Sequence, residues 1–120
     1  MSCLFNSLSY FIKDISSDQL RKIICDYLLS NPKMMENIDA RSITNWECDM
    51  SLESYVEKMK NTNVWGGGIE IKSFCEIFNL SVFVKLHSGK YIEFLPSSVN
   101  EKTECIQIYY TGNHYEPIKR

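Results

Sequence analysis

Residues 69–95 read IEIKSFCEIFNLSVFVKLHSGKYIEFL, and the hydrophobic period changes inside this stretch. Over residues 69–78, Ile71, Phe74, Cys75 and Phe78 recur at the three- and four-residue spacing that gives a helix one buried side. From Ser81 the period becomes two. Residues 81–86 read as a strand, His87-Ser88-Gly89-Lys90 as a turn, and residues 91–95 as the hairpin partner.

Working outward, the same two periods sort the rest of the chain. Residues 3–11 read as a short helix with Leu4, Leu8 and Phe11 on one face and Phe5 beside it. A second helix is capped by Ser16 or Ser17, favoured by Asp18 in its first turn, and carries Leu20, Ile24, Tyr27 and Leu28 at helical spacing. Asn31-Pro32 ends it. Residues 32–50 supply Met34, Met35, Ile38 and Ile43 without a steady period. A helix over residues 51–60 buries Leu52, Tyr55, Val56 and Met59, and Asn61-Thr62-Asn63 breaks it. Downstream, residues 105–110 alternate as a third strand, Thr111-Gly112-Asn113 turns the chain, and residues 115–118 read as a short last strand. Helices followed by paired strands predict an α+β domain, with the helices packed on a small, mainly antiparallel sheet. The chain of 120 residues is expected to be a single domain over 1–120.

Composition narrows the function. A hydrophobic fraction of 44% supports a true core. The net charge is -2 and no stretch concentrates Lys or Arg, so the electrostatic footprint of nucleic-acid binding is missing. No apolar run approaches the roughly 18 residues of a membrane span. The five cysteines, Cys3, Cys25, Cys48, Cys75 and Cys105, are too widely separated for a zinc site, and the residues imply no metal or cofactor. An odd cysteine count and the lack of a signal-peptide pattern at the start predict free thiols and a cytosolic protein. The sequence is silent on oligomeric state.

The residues that carry chemistry lie at the two ends. Cys3 opens a helix, where unpaired N–H groups and the helix dipole favour an anion, and thiolate is the nucleophilic form. His114 stands in the turn Gly112-Asn113-His114-Tyr115-Glu116, and the chain has 2 histidines in all. If His114 opens the last strand, Glu116 points to the same side and orients the imidazole. Taken singly, each has a plainer reading: a small apolar residue near a terminus, a solvated turn residue, a surface charge. His87, at a hairpin tip, is assigned to solvent. Trp65-Gly66-Gly67-Gly68 lacks the Lys-Ser/Thr of a phosphate loop. It reads either as a flexible lead into a helix or as backbone passing close to a ligand, with Trp65 as an apolar wall.

Together these segments resemble the ovarian-tumour (OTU) family of cysteine proteases, along nearly the whole chain. Cys3-Leu4-Phe5-Asn6-Ser7-Leu8-Ser9 is similar to the family's nucleophile motif. Arg21, Ile24 and Tyr27-Leu28 sit where the family has its second helix. Trp65-Gly66-Gly67-Gly68-Ile69-Glu70-Ile71 is similar to its Trp-Gly-Gly-x-x-Glu-Leu segment. Ile108-Tyr109-Tyr110 followed by Gly112-Asn113-His114-Tyr115-Glu116 resembles the strand and turn that deliver its catalytic histidine.

The resemblance implies a papain-like fold and a deubiquitinase that hydrolyses the bond after the C-terminal glycine of ubiquitin or a ubiquitin-like protein. Cys3 would be its nucleophile, His114 its base and Glu116 the orienting group, at a position where the family usually has Asp or Asn. It also implies a narrow groove for the modifier's tail between the Cys3 loop and the His114 turn, with Trp65, Gly66 and Gly67 as substrate-binding residues. In the family an Asp-Gly pair stands two or three residues before the nucleophile, whereas here Met1 and Ser2 precede Cys3. A second expectation therefore stands beside the enzyme: an OTU-like ubiquitin-binding module impaired in catalysis.

Overall fold

The computed structural model describes residues 2–62 and 64–119. In chain order the elements are α1 (Cys3–Ser9), α2 (Ser17–Leu29), β1 (Lys33–Met35), β2 (Ile38–Asp39), α3 (Ala40–Cys48), α4 (Leu52–Met59), α5 (Gly68–Phe78), β3 (Leu80–Leu86), β4 (Tyr91–Phe94), β5 (Glu104–Tyr110) and β6 (Tyr115–Pro117). The domain is α+β, as expected.

Local chemistry sets the helix ends. Ser16 caps α2 through a full capping box, accepting the Gln19 N–H at 3.2 Å while the Gln19 side chain accepts the Ser16 N–H at 2.8 Å. Asn79 ends α5 with φ 53°, a left-handed residue that turns the chain directly into β3. The stretch without a readable period holds a miniature hairpin, β1 against β2, and then α3. Asp39 caps α3 by accepting the Ser42 N–H at 2.9 Å. Strands of three and two residues are too short to display an alternation.

The main sheet has the order β4-β3-β5-β6. The pairs β3–β4 and β5–β6 are antiparallel, but β3 and β5 run parallel, in register from Leu80 opposite Glu104 to Leu86 opposite Tyr110. No crossover helix is required for this. β4 carries the chain back to the start of β3, so β5 sets out from that end on the other edge of β3. One face of the sheet supplies Val82, Val84, Ile106 and Ile108 to the core, where they join Phe74 of α5 and the apolar residues of α1, α2 and α4. The alternate residues, such as Glu93, Cys105 and Gln107, are exposed.

Three polar or small residues decide how α1 and α5 sit. Arg21 of α2 is 2% exposed, and its Nη1 donates to the carbonyls of Met59 (2.8 Å), Asn61 (3.0 Å) and Val64 (2.9 Å) between α4 and α5. Glu70 of α5 is equally buried; its carboxylate accepts the Tyr55 hydroxyl at 2.5 Å and the Gly67 N–H at 2.7 Å. Burial lifts the Glu70 carboxyl above its ordinary range, opposed by those two hydrogen bonds and by the Arg21 charge. Gly66 lies against α1: a Cβ built there would fall 2.8 Å from Leu4 Cδ2 and 3.0 Å from the Phe5 ring.

Two outcomes follow. Gly66→Ala is expected to lower stability by about 1–3 kcal/mol, the usual cost of overpacking, because Leu4 and Phe5 are themselves fully packed. Gly67→Ala, whose Cβ would meet nothing within 4 Å, serves as the control in the same denaturant titration. The second concerns pH. A carboxyl whose folded value is raised leaves the folded state holding more protons than the unfolded one, so stability falls as pH climbs through the folded value. Glu70→Gln keeps both neighbours bonded and has no proton to lose. Its melting temperature relative to the wild type should therefore rise as pH increases above the ordinary glutamate range. A pH-independent difference would show that Glu70 contributes no such linkage.

Candidate active site

The nucleophile candidate is held by a helix with little freedom. α1 buries Leu4, Phe5, Ser7 and Leu8, which fixes the rotation of the helix and leaves Cys3 half-buried at its first turn. Ser7 Oγ donates to the Cys3 carbonyl at 2.7 Å, and the Asn6 N–H donates to the Ser2 carbonyl at 2.7 Å. Ser2 occupies the N-cap position, yet its side chain caps no N–H of the helix; its hydroxyl accepts from Arg21 Nη2 at 3.2 Å instead.

The base candidate is held by the sheet. β5 ends at Tyr110, and residues 111–114 return the chain as β6, with Tyr110 opposite Tyr115 and Tyr109 opposite Glu116. Gly112, at φ 110°, makes this turn possible. The Thr111 N–H donates to the His114 carbonyl at 2.9 Å, the Tyr110 hydroxyl donates to the Gly112 carbonyl at 2.7 Å, and the Tyr110 and Tyr115 rings lie 4.6 Å apart. His114 itself is exposed.

α1 packs on β6, so the two ends of the chain meet. Tyr115, the residue after His114, reports the approach. Its phenol is pushed up to about 12, by burial first and then by the neighbouring Tyr110, Cys3 and Glu70. Among the described residues, Cys3, His114 and Glu116 make no side-chain hydrogen bond or ion pair with one another. Catalytic hydrogen bonds commonly tighten only when substrate is bound.

The other thiols are placed differently. Burial pushes the Cys25 thiol up to about 11 and that of Cys75 up to about 12, and raises that of Cys48 as well. A thiol held protonated in an apolar setting is a poor nucleophile. Cys105 is exposed but stands at the start of β5, opposite Ser81, at the far end of the strand from the His114 turn.

The remaining sequence candidates fall in two places. Trp65, Gly66 and Gly67 line a pocket of about 300 Å³ together with Cys48, Tyr55 and Glu70. Trp65 is exposed there, whereas Gly66 is turned to Leu4 and Phe5 of α1. Glu116 lines a different pocket, of about 530 Å³, with Lys85, His87 and Tyr109 at the β3–β4 end of the sheet. His87 is exposed, as expected. Sequence reasoning missed the roles of Arg21, Tyr55 and Glu70. For Arg21 a signal existed: it shares the buried side of α2 with Leu20, Ile24, Cys25 and Leu28, where an apolar residue is the rule.

Comparison with known proteins agrees with this architecture. The family profile described as OTU-like cysteine protease matches residues 2–115. The chain is 28% identical over 129 residues to the ubiquitin thioesterase otu2 of Schizosaccharomyces pombe, covering 98% of this chain and 42% of that protein. It is 26% identical to the putative ubiquitin thioesterase 232R of Invertebrate iridescent virus 3, covering 95% of this chain and 14% of that protein. The chain thus spans less than half the length of these two relatives. A solved ovarian-tumour domain in complex with ubiquitin superposes with a TM-score of 0.75 at 25% identity, over 97% of this chain and 62% of that one. With the helix that begins at Cys3 seated on the strand that follows His114, and a family profile running along nearly the whole length, the chain belongs to the OTU-like cysteine proteases.

Proposed function

We propose that this domain is a deubiquitinase, hydrolysing the peptide or isopeptide bond after the C-terminal glycine of ubiquitin or a ubiquitin-like protein. One observation carries the reading: α1, which begins at Cys3, packs on β6, which begins one residue after His114. The names of the relatives, ubiquitin thioesterases, and the ubiquitin bound to the superposed domain support the substrate class.

In this mechanism His114 accepts the proton of Cys3, and the thiolate attacks the carbonyl carbon of the terminal glycine. The negative charge collects on the carbonyl oxygen, where backbone N–H donors stabilise it. As the carbon–nitrogen bond breaks, His114 delivers its proton to the leaving amine, and a thioester joins Cys3 to the modifier. Water then attacks the thioester while His114 takes its proton. The carbon–sulfur bond breaks, the modifier leaves as a carboxylate, and the proton returns to the thiol. Glu116 orients the imidazole and stabilises its charged form, and Trp65 forms an apolar wall for the tail.

A ubiquitin probe bearing a C-terminal electrophile tests the reading. The wild type is expected to be captured covalently at Cys3. Cys3→Ala should escape capture and lose at least roughly 10³-fold in turnover of a ubiquitin C-terminal amide. Glu116→Ala should keep part of the activity, because the Cys3–His114 pair survives. Cleavage by Cys3→Ala removes Cys3 as nucleophile, and binding of the probe without capture points to a ubiquitin-binding module that does not catalyse.

A further inference from the structure

Arg21 lies outside the proposed catalytic trio, yet its guanidinium is the point where three parts of the chain are fastened together. It projects from α2 into the interior, and Nη1 reaches the carbonyls of Met59, Asn61 and Val64 within 3.0 Å. Nη2 donates to Ser2 Oγ at 3.2 Å and to the Thr62 carbonyl at 3.5 Å. Its carbon Cζ lies 4.2 Å from the centroid of the Phe5 ring, over the same helix that carries Cys3. Ser2 and Phe5 flank the thiol, one residue before it and two after.

Two features mark this as a built tie. The guanidinium donates to the backbone carbonyls of Met59, Asn61, Thr62 and Val64, so the fork is matched to backbone geometry. Moreover, a serine at an N-cap ordinarily accepts an N–H of its own helix, whereas the Ser2 hydroxyl is turned to Arg21.

We propose that Arg21 is a positioning residue for the Cys3 thiol, acting through Ser2 and Phe5 to lock the start of α1 against the segment between α4 and α5. The proposal rests on Cys3 being the nucleophile. A planar five-donor fork can satisfy several carbonyls in fixed directions at once, which a lysine ammonium on its flexible stem cannot reproduce. A displacement on the order of 1 Å at a reacting atom is enough to cost roughly 10²-fold in rate. The effect on the thiol is read most cleanly in Ser2→Ala, which leaves Trp65, Gly66 and Gly67 untouched, because Arg21 also holds the Val64 carbonyl beside Trp65.

The experiment uses Arg21→Lys and Ser2→Ala. The second removes one hydroxyl and is expected to fold, with a lower melting temperature than the wild type because one bond to the buried charge is lost. Both are assayed for kcat and KM on a ubiquitin C-terminal amide, and for the rate of alkylation of Cys3 by iodoacetamide, read by mass spectrometry. The expected result is a fall in kcat of roughly 10- to 100-fold for Arg21→Lys, with KM within about twofold of wild type in Ser2→Ala. Ser2→Ala should show a smaller fall in the same direction, and both variants an altered Cys3 alkylation rate. Wild-type kcat and alkylation in Ser2→Ala overturns the proposal, even if Arg21→Lys fails to fold. If the wild type neither cleaves nor captures ubiquitin, the deubiquitinase reading is what fails. The alkylation rate of Ser2→Ala against wild type then still decides whether the tie sets the thiol.

Discussion

A charge buried among carbonyls governs this domain. Taking a guanidinium out of water costs several kcal/mol even after the surroundings relax, and only well-directed acceptors compensate it. Arg21 has them: carbonyls from the segment between α4 and α5, the Ser2 hydroxyl, and the face of Phe5. Each hydrogen bond to a charged group is worth about 1.5–3 kcal/mol net, and each also satisfies a carbonyl that burial would otherwise strand. The irregular stretch after α4 is thus ordered from within by a side chain of α2, and its course brings Gly66 beneath α1. Glu70 completes the arrangement from the far side, holding the Gly67 N–H and the Tyr55 hydroxyl. Burial pushes Arg21 down and Glu70 up, toward their neutral forms, and the charge of each opposes that shift in the other.

The same interactions that hold the core therefore also place the Cys3 thiol. α1 has seven residues, too few to be stable alone. Its position follows from what it rests on: Gly66, which admits Leu4 and Phe5 at a distance no other residue would allow, and Arg21, which reaches past Phe5 to Ser2. Stability and geometry at Cys3 are coupled here through shared contacts, without a long-range pathway.

Much of this frame could be read from the sequence, and the exceptions have physical causes. α2 announced itself because Ser16, Asp18 and the Leu20-Ile24-Leu28 row are local signals within one helix. The change from α5 to β3 was legible because the period switches across a single left-handed Asn79. β1, β2 and α3 were not, since the two strands are shorter than one full alternation and α3 leaves Trp46 70% exposed on what a pattern would take as a buried side. Nor does a period of two name a strand's neighbour: the parallel pairing of β3 with β5 depends on where β4 delivers the chain. Gly66 shows the limit most clearly. A glycine run signals close approach by something, and the thing approaching is the chain's own Leu4 and Phe5, brought there from more than sixty residues away. Arg21 carried its signal in plain view, a charge on an apolar helix face, but its partners are backbone carbonyls, which leave no mark in a sequence.

Cys3 and His114 are held by unequal means, and the inequality bears on the proposed mechanism. The thiol sits on a helix clamped by a buried charge, a tight glycine contact and four buried side chains. The imidazole sits on a four-residue turn whose hold is local: one backbone hydrogen bond across it, a tyrosine hydroxyl on the Gly112 carbonyl, and a pair of tyrosine rings in tilted contact. Moving α1 would break contacts throughout the core, whereas rotating an exposed imidazole about its two side-chain torsions breaks none. The sulfur is the fixed point of the site. In the proposed mechanism it is the histidine side that has the freedom to complete a Cys3–His114 hydrogen bond, with Tyr110 opposite Tyr115 keeping the base of the turn in register.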